Sequence, residues 1–142
     1  MHYFTNRTTG MNHVAIFYTH NAIDARVLGL SLRHFQNMVG MYGLPLKTHG
    51  VVVSCEPVNE FLTSMEHMSV TNLVAPVEIR NLGHLRIVEK ITLAMEVFPS
   101  DFVSLHEHDV LYPEDYLLVC QELLQDYANL FDYVAYDRIM GV

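Results

Sequence analysis

The chemistry this chain can perform is concentrated in one stretch, Ser104-Leu105-His106-Glu107-His108-Asp109-Val110-Leu111-Tyr112-Pro113. An apolar run, Asp101 to Leu105, is expected to form a strand that leads straight into two histidines and two acids. Side chains alternate along a strand, so Glu107 and Asp109 are expected on the same side. Two carboxylates at the carboxyl end of a buried strand are costly unless they hold a cation or a substrate. Carboxylates are hard oxygen ligands suited to Mn²⁺ or Mg²⁺. Such an ion would clamp a diphosphate and stabilise its departure. His106 and His108 fall on the other face of a regular strand, but a backbone turn at Glu107 would make His108 a third ligand. The alternative is an acidic turn that favours the positive start of the next helix. Zinc fits less well, because the histidines flanking Glu107 lack the helical His-Glu-x-x-His spacing.

Other polar residues sit where strands are expected to end. Thr19, His20 and Asn21 follow the first apolar run and offer contacts to a base or ribose, or else ordinary turn and capping chemistry. Glu56 ends the second run, either as a nucleoside contact or as a solvated acid before Pro57. Arg86 and Lys90 are four apart and could meet a phosphate from neighbouring turns of a helix. Equally, they could pair on the surface with Glu89 and Glu96. No Gly-x-Gly-x-x-Gly or Gly-Lys-Ser/Thr motif is present, so dinucleotide and P-loop chemistry lose their usual support. No Ser/His/Asp nucleophile set follows from the spacing, and no catalytic base can be placed.

These residues need a scaffold, and the apolar pattern supplies one. His13 to Tyr18 and Val51 to Cys55 read as buried parallel strands. Asp24 to Val39 reads as a helix with Leu28, Leu32, Phe35 and Val39 on one stripe and Asn21 or Asp24 as its cap. Gly40 to Gly50 reads as a connection, and Asn59 to Met68 as a short helix. Asn72 to Ile79 reads as a third strand, with Pro76 marking an edge or a break. After a loop at Arg80 to Gly83, a helix is expected from His84 to Phe98. Ile87, Val88, Ile91, Ala94, Met95 and Phe98 would face inward, with Arg86, Glu89, Lys90 and Glu96 off that stripe. Pro113 suits the first turn of a last helix, whose inner stripe is Leu117, Cys120, Leu124, Tyr127 and Phe131. Tyr133 to Tyr136 would begin a fifth strand, which either closes in a short hairpin or opens into a longer protein. Alternating strands and helices predict an α/β fold with a mostly parallel sheet covered on both faces. Residues 1–12 are expected to form a leader, and 13–142 a single domain, as a whole or as the front part of a longer enzyme.

Composition narrows the partners. The chain has 142 residues, 51% of them hydrophobic, and a net charge of −8 with neutral histidines. That balance supports a real core and argues against broad nucleic-acid binding, which needs clustered Lys and Arg. The two cysteines, Cys55 and Cys120, lack metal-like spacing and are expected as buried free thiols. No signal region or membrane-length apolar run is seen, so a cytoplasmic location is expected. An unpaired sheet edge near Val142 would favour pairing into a homo-oligomer.

The arrangement resembles the nucleotide-binding half of GT-A glycosyltransferases, in particular family 2-like ones. Val14 to Asn21 is similar to that family's first strand and polar turn, and Cys55-Glu56 to its second strand end. Asn81 to Ala94 is similar to its Asn/Gly-containing helix start, and Asp101 to Pro113 to its strand plus metal motif. The motif here reads Glu-His-Asp where the family has Asp-x-Asp. The resemblance implies a Rossmann-like fold and a nucleoside-diphosphate sugar as donor, with Mn²⁺ or Mg²⁺ held by Glu107 and Asp109. Thr19, Asn21 and Glu56 would touch the nucleoside, with Arg86 or Lys90 nearby. It leaves the acceptor open. Two other functions share these features: a non-catalytic interaction module on the same sheet, and a nucleotidyltransferase.

Overall fold

The computed structural model describes residues 12–42, 47–58, 62, 65–76 and 84–127. Four strands form an all-parallel sheet: β1 (Asn12–Tyr18), β2 (Lys47–Ser54), β3 (Ser69–Val74) and β4 (Phe102–Glu107). Their spatial order is β3-β2-β1-β4. Three helices accompany them: α1 (Ala25–Tyr42), α2 (His84–Val97) and α3 (Tyr116–Tyr127). The chain winds outward from β1 through β2 to β3, then crosses back to lay β4 on the other side of β1. The order therefore reverses between β1 and β4, which stay paired up to their carboxyl ends at Tyr18 and Glu107; a reversal of this kind is where open α/β sheets bind ligands.

The central strands are apolar on both faces because both faces are covered. Ala15, Phe17 and Val52 pack under Leu28, Leu32, Phe35 and Met38 of α1 and Tyr116 and Leu117 of α3. Val14, Ile16, Val51 and Val53 pack on the other face against Ala94, with Ile91, Leu93 and Phe98 around it. Each fully buried Leu or Phe contributes about 1.5–3 kcal/mol by leaving water. Asp24 starts α1: its carboxylate accepts the Arg26 backbone N–H at 2.9 Å. The amino ends of β1 and β4 are pinned by a pair of bonds. Asn12 N donates to the Asp101 carboxylate at 2.8 Å, and Asp101 N to the Asn12 carbonyl at 3.0 Å.

Several boundaries differ from the sequence expectation. Helix α1 runs on to Tyr42, and β2 already begins at Lys47, because Thr48 and His49 find side-chain partners on neighbouring strands. Strand β3 lies earlier than expected, so Pro76 follows it rather than interrupting it. Residues 65–68 make bends rather than a helix, and the rest of the expected 59–68 helix lies largely outside the described residues. Strand β4 extends through Glu107. Pro113 precedes α3 as part of a turn closed by the Tyr116 N–H on the Pro113 carbonyl at 2.9 Å. The 80–83 loop and the fifth strand at 133–136 lie outside the described residues. Among the described residues, both cysteines are free thiols, and no helix is long and apolar enough to cross a membrane.

Candidate functional site

The candidate site is the rim formed by the carboxyl ends of β1 and β4, and each end is held by its own neighbours. After β1 the chain turns at Asn21, whose backbone is left-handed (φ 62°). Asparagine tolerates that region better than most residues. Its side-chain oxygen accepts the N–H groups of Cys55 and Glu56 at 2.6 and 2.9 Å, and its amide donates to the Glu56 carbonyl at 3.2 Å. Thr19 is buried, and its hydroxyl accepts the Asn21 N–H at 3.1 Å. Thr19 and Asn21 thus shape the turn and lash it to the end of β2. The capping role open to Asn21 in the sequence goes to Asp24, and Asn21 anchors a strand end instead. His20 is left partly exposed at the end of β1, its Nδ1 accepting the Ala22 N–H at 2.9 Å. Glu56 is exposed just after β2, one strand further from β4.

The acidic turn on the opposite wall is steadied by α1. Ser31 donates to the His108 carbonyl at 3.1 Å, and His34 Nε2 to the Tyr112 carbonyl at 2.7 Å. The Tyr112 hydroxyl accepts the Glu107 N–H at 3.2 Å. The strand ends at Glu107 and His108-Asp109 is a turn, so strand alternation does not extend to Asp109. The two carboxylates nevertheless act on one neighbourhood. Burial, then the charges of Glu107 and Asp109, raises the Tyr18 hydroxyl pKa. Burial also raises that of Tyr112, opposed by its bond to the Glu107 N–H and reinforced by Glu107, Tyr18 and Asp109. His108 is lowered mainly by burial. Asp109 and Glu107 oppose that shift, while His20 and Lys90 add to it. The His108 ring meets His20 edge to face at 4.9 Å, joining the two strand ends.

Beneath this wall lies a buried polar chain. Thr48 Oγ1 is 3.1 Å from His13 Nδ1, His13 Nε2 is 2.7 Å from Ser104 Oγ, and Ser104 Oγ is 2.7 Å from His106 Nε2. His106 is fully buried, stacked on Phe17 at 4.6 Å and edge-on to Phe35, Tyr112 and Tyr116. Its Nδ1 has no partner among the described residues. A buried N–H without an acceptor costs more than a bare lone pair, so the proton belongs on Nε2, donated to Ser104. Ser104 then donates to His13, and His13 to Thr48. Burial holds both rings neutral: His13 is lowered to about 4, and His106 well below its ordinary value, with His13 adding to the effect.

The helix behind the sheet corrects one expectation. Lys90, expected off the inner stripe of α2, is only 4% exposed, while Val88 and Met95, expected inside, are 60% and 47% exposed. The stripe that meets the sheet runs through Lys90, Ala94 and Phe98. A lysine stem can lie along apolar surface, which conceals such a residue from a polarity pattern. Arg86 is engaged by the Glu89 carboxylate at 2.8 and 2.7 Å, the surface pair that its spacing also offered. Tyr112 belongs to the stretch that the sequence marks, beside His108. Tyr18, Ser31 and His34 are not singled out, and only the position of Tyr18 directly before Thr19 gives a signal for any of them.

Glu107, His108 and Asp109 offer oxygen and nitrogen donors. Among the described residues, no three His, Cys, Asp or Glu side chains are grouped to hold a metal ion. Two carboxylates on one turn suit a cation that takes its remaining ligands from water and phosphate oxygens. No known family model, curated protein or solved structure matches the chain.

Proposed function

We propose that the chain is a metal-dependent glycosyltransferase, or its donor-binding portion, with a Rossmann-like GT-A sheet, taking a nucleoside-diphosphate sugar across the ends of β1 and β4. The observation that carries this reading is the placement of Glu107 at the end of β4 and of Asp109 on the turn directly after it, at the point where the strand order reverses. Mn²⁺ or Mg²⁺ held there would neutralise the diphosphate and stabilise it as a leaving group. His108 flanks both carboxylates as a further donor. His20 and Glu56 face the nucleoside side, on a turn whose shape Thr19 and Asn21 set. Two free thiols fit a reducing compartment such as the cytoplasm.

Calorimetry with uridine diphosphate and Mn²⁺ tests the reading. The full chain binds, and Asp109→Ala removes the metal-dependent part without unfolding the protein. A folded sample that takes up no nucleotide, with or without metal, ends the proposal. An interaction module on the same sheet would then be favoured, with partner binding indifferent to Asp109→Ala.

A further inference from the structure

Lys90 is the charged side chain that the fold buries most awkwardly. It lies on the α2 stripe that meets the sheet, one turn before Ala94 and two before Phe98. The Phe98 ring sits 4.9 Å from His49, near the start of β2, and Ala94 packs with Ile16 and Val53 in mid-sheet. Helix α2 therefore runs antiparallel to the strands. One helical turn from Ala94 advances about 6 Å, roughly two strand residues. That places Lys90 at the row of Tyr18 and Glu107, which pair across β1 and β4. Side chains lean toward a helix's amino end, so the Lys90 stem leans toward the carboxyl ends of the strands. Among the described residues, no hydrogen bond or ion pair holds its ammonium. The ammonium is not one of the buried polar atoms left without a partner, so the stem is buried while the head reaches solvent, open to an anion.

The neighbours supply more donors. His20 Nδ1 accepts the Ala22 N–H, which puts the His20 proton on Nε2. The buried Nδ1 of His108 has no partner among the described residues. We propose that Lys90, with His20 and His108, forms a seat for a phosphate or diphosphate group that contacts the protein directly, without a bridging metal ion. The Lys90 charge is already felt at His108, which places the two groups within electrostatic reach of one another. Glu107 and Asp109 repel an anion at the same seat, so removing one of them strengthens metal-free binding. The inference deepens the donor-binding reading by naming the diphosphate contact, and its test is independent of the nucleotide.

The test is titration of the full chain with inorganic pyrophosphate in excess EDTA. The wild-type protein binds. Lys90→Met weakens binding about tenfold or more, the loss of one charged hydrogen bond. Lys90→Arg keeps it, and Asp109→Asn tightens it. Absence of metal-free binding in the wild type overturns the seat, as does binding unchanged in Lys90→Met. Uridine diphosphate with Mn²⁺ forms a separate arm. Nucleotide binding without metal-free pyrophosphate binding removes the seat and leaves the donor reading standing. The reverse pattern keeps the seat and removes the nucleotide.

Discussion

His106 and Lys90 are buried on opposite faces of one sheet, and the fold treats them differently. His106 faces α1 and α3, stays neutral, and passes its one proton into a chain of hydroxyls and imidazoles that ends at Thr48. Lys90 faces the sheet from α2 without a hydrogen bond or ion pair among the described residues. A neutral buried group can be closed off by its neighbours. A long cationic side chain can bury its stem and keep its head at solvent, where something outside the chain can meet it. The difference separates the face that supports the strand ends from the face that would serve them.

The largest effect expected from disturbing that contrast is at His106. His106→Ala removes a ring packed against four aromatics and should cost about 3 kcal/mol or more in urea denaturation, as large-to-small core changes do. A cost under about 1 kcal/mol would show that the ring is not the floor of the Tyr112 wall. Acid probes the same chain. In the unfolded protein His13 takes a proton near 6.5, but in the folded protein only near 4. The unfolded state therefore binds more protons between these values, and stability falls as pH drops from about 6.5 toward 4. His13 alone accounts for about 2 kcal/mol of loss by pH 5. Urea midpoints at pH 7.5 and 5 check this, and a flat profile would contradict the neutral chain.

The other face should respond more weakly. Lys90→Met keeps the apolar stem and removes a head group that no side chain holds. It should leave stability within about 1 kcal/mol of the wild type, seen as the melting temperature in the absence of anions. A larger fall would mean that the ammonium already has a stabilising partner. Arg86→Ala gives the smallest effect, within about 0.5 kcal/mol, because its pair with Glu89 is a partly exposed helical i,i+3 bridge. It should also leave uridine diphosphate binding unchanged.

The parts of the fold that the sequence made legible are those where polarity and burial agree. Val14 to Phe17 and Val51 to Val53 are apolar and buried on both faces, and Leu28, Leu32 and Phe35 repeat at helical spacing. The misreadings fall where a polar residue is buried by virtue of a distant partner. His106 reads as the end of an apolar strand until Ser104 and His13 are brought alongside it, so β4 extends two residues further than expected. Lys90 reads as surface because Val88 and Met95 offer a competing apolar stripe, yet the helix turns those two outward. The acidic pair was visible as Glu107 and Asp109. The struts that position it, Ser31 and His34, lie in a different helix and make ordinary hydrogen bonds. Nothing local marks them.

The adjacency of β1 and β4 has a consequence for how the protein comes into being. Asn12 and Asp101, which tie these strands together, are 89 positions apart in the chain. Closing so long a loop is entropically slow, whereas β1, β2 and β3 follow one another in sequence. On a ribosome the first three strands emerge well before β4 does. Until then β1 shows an open apolar border to solvent, the kind of border that chaperones cover and that neighbouring nascent chains can capture.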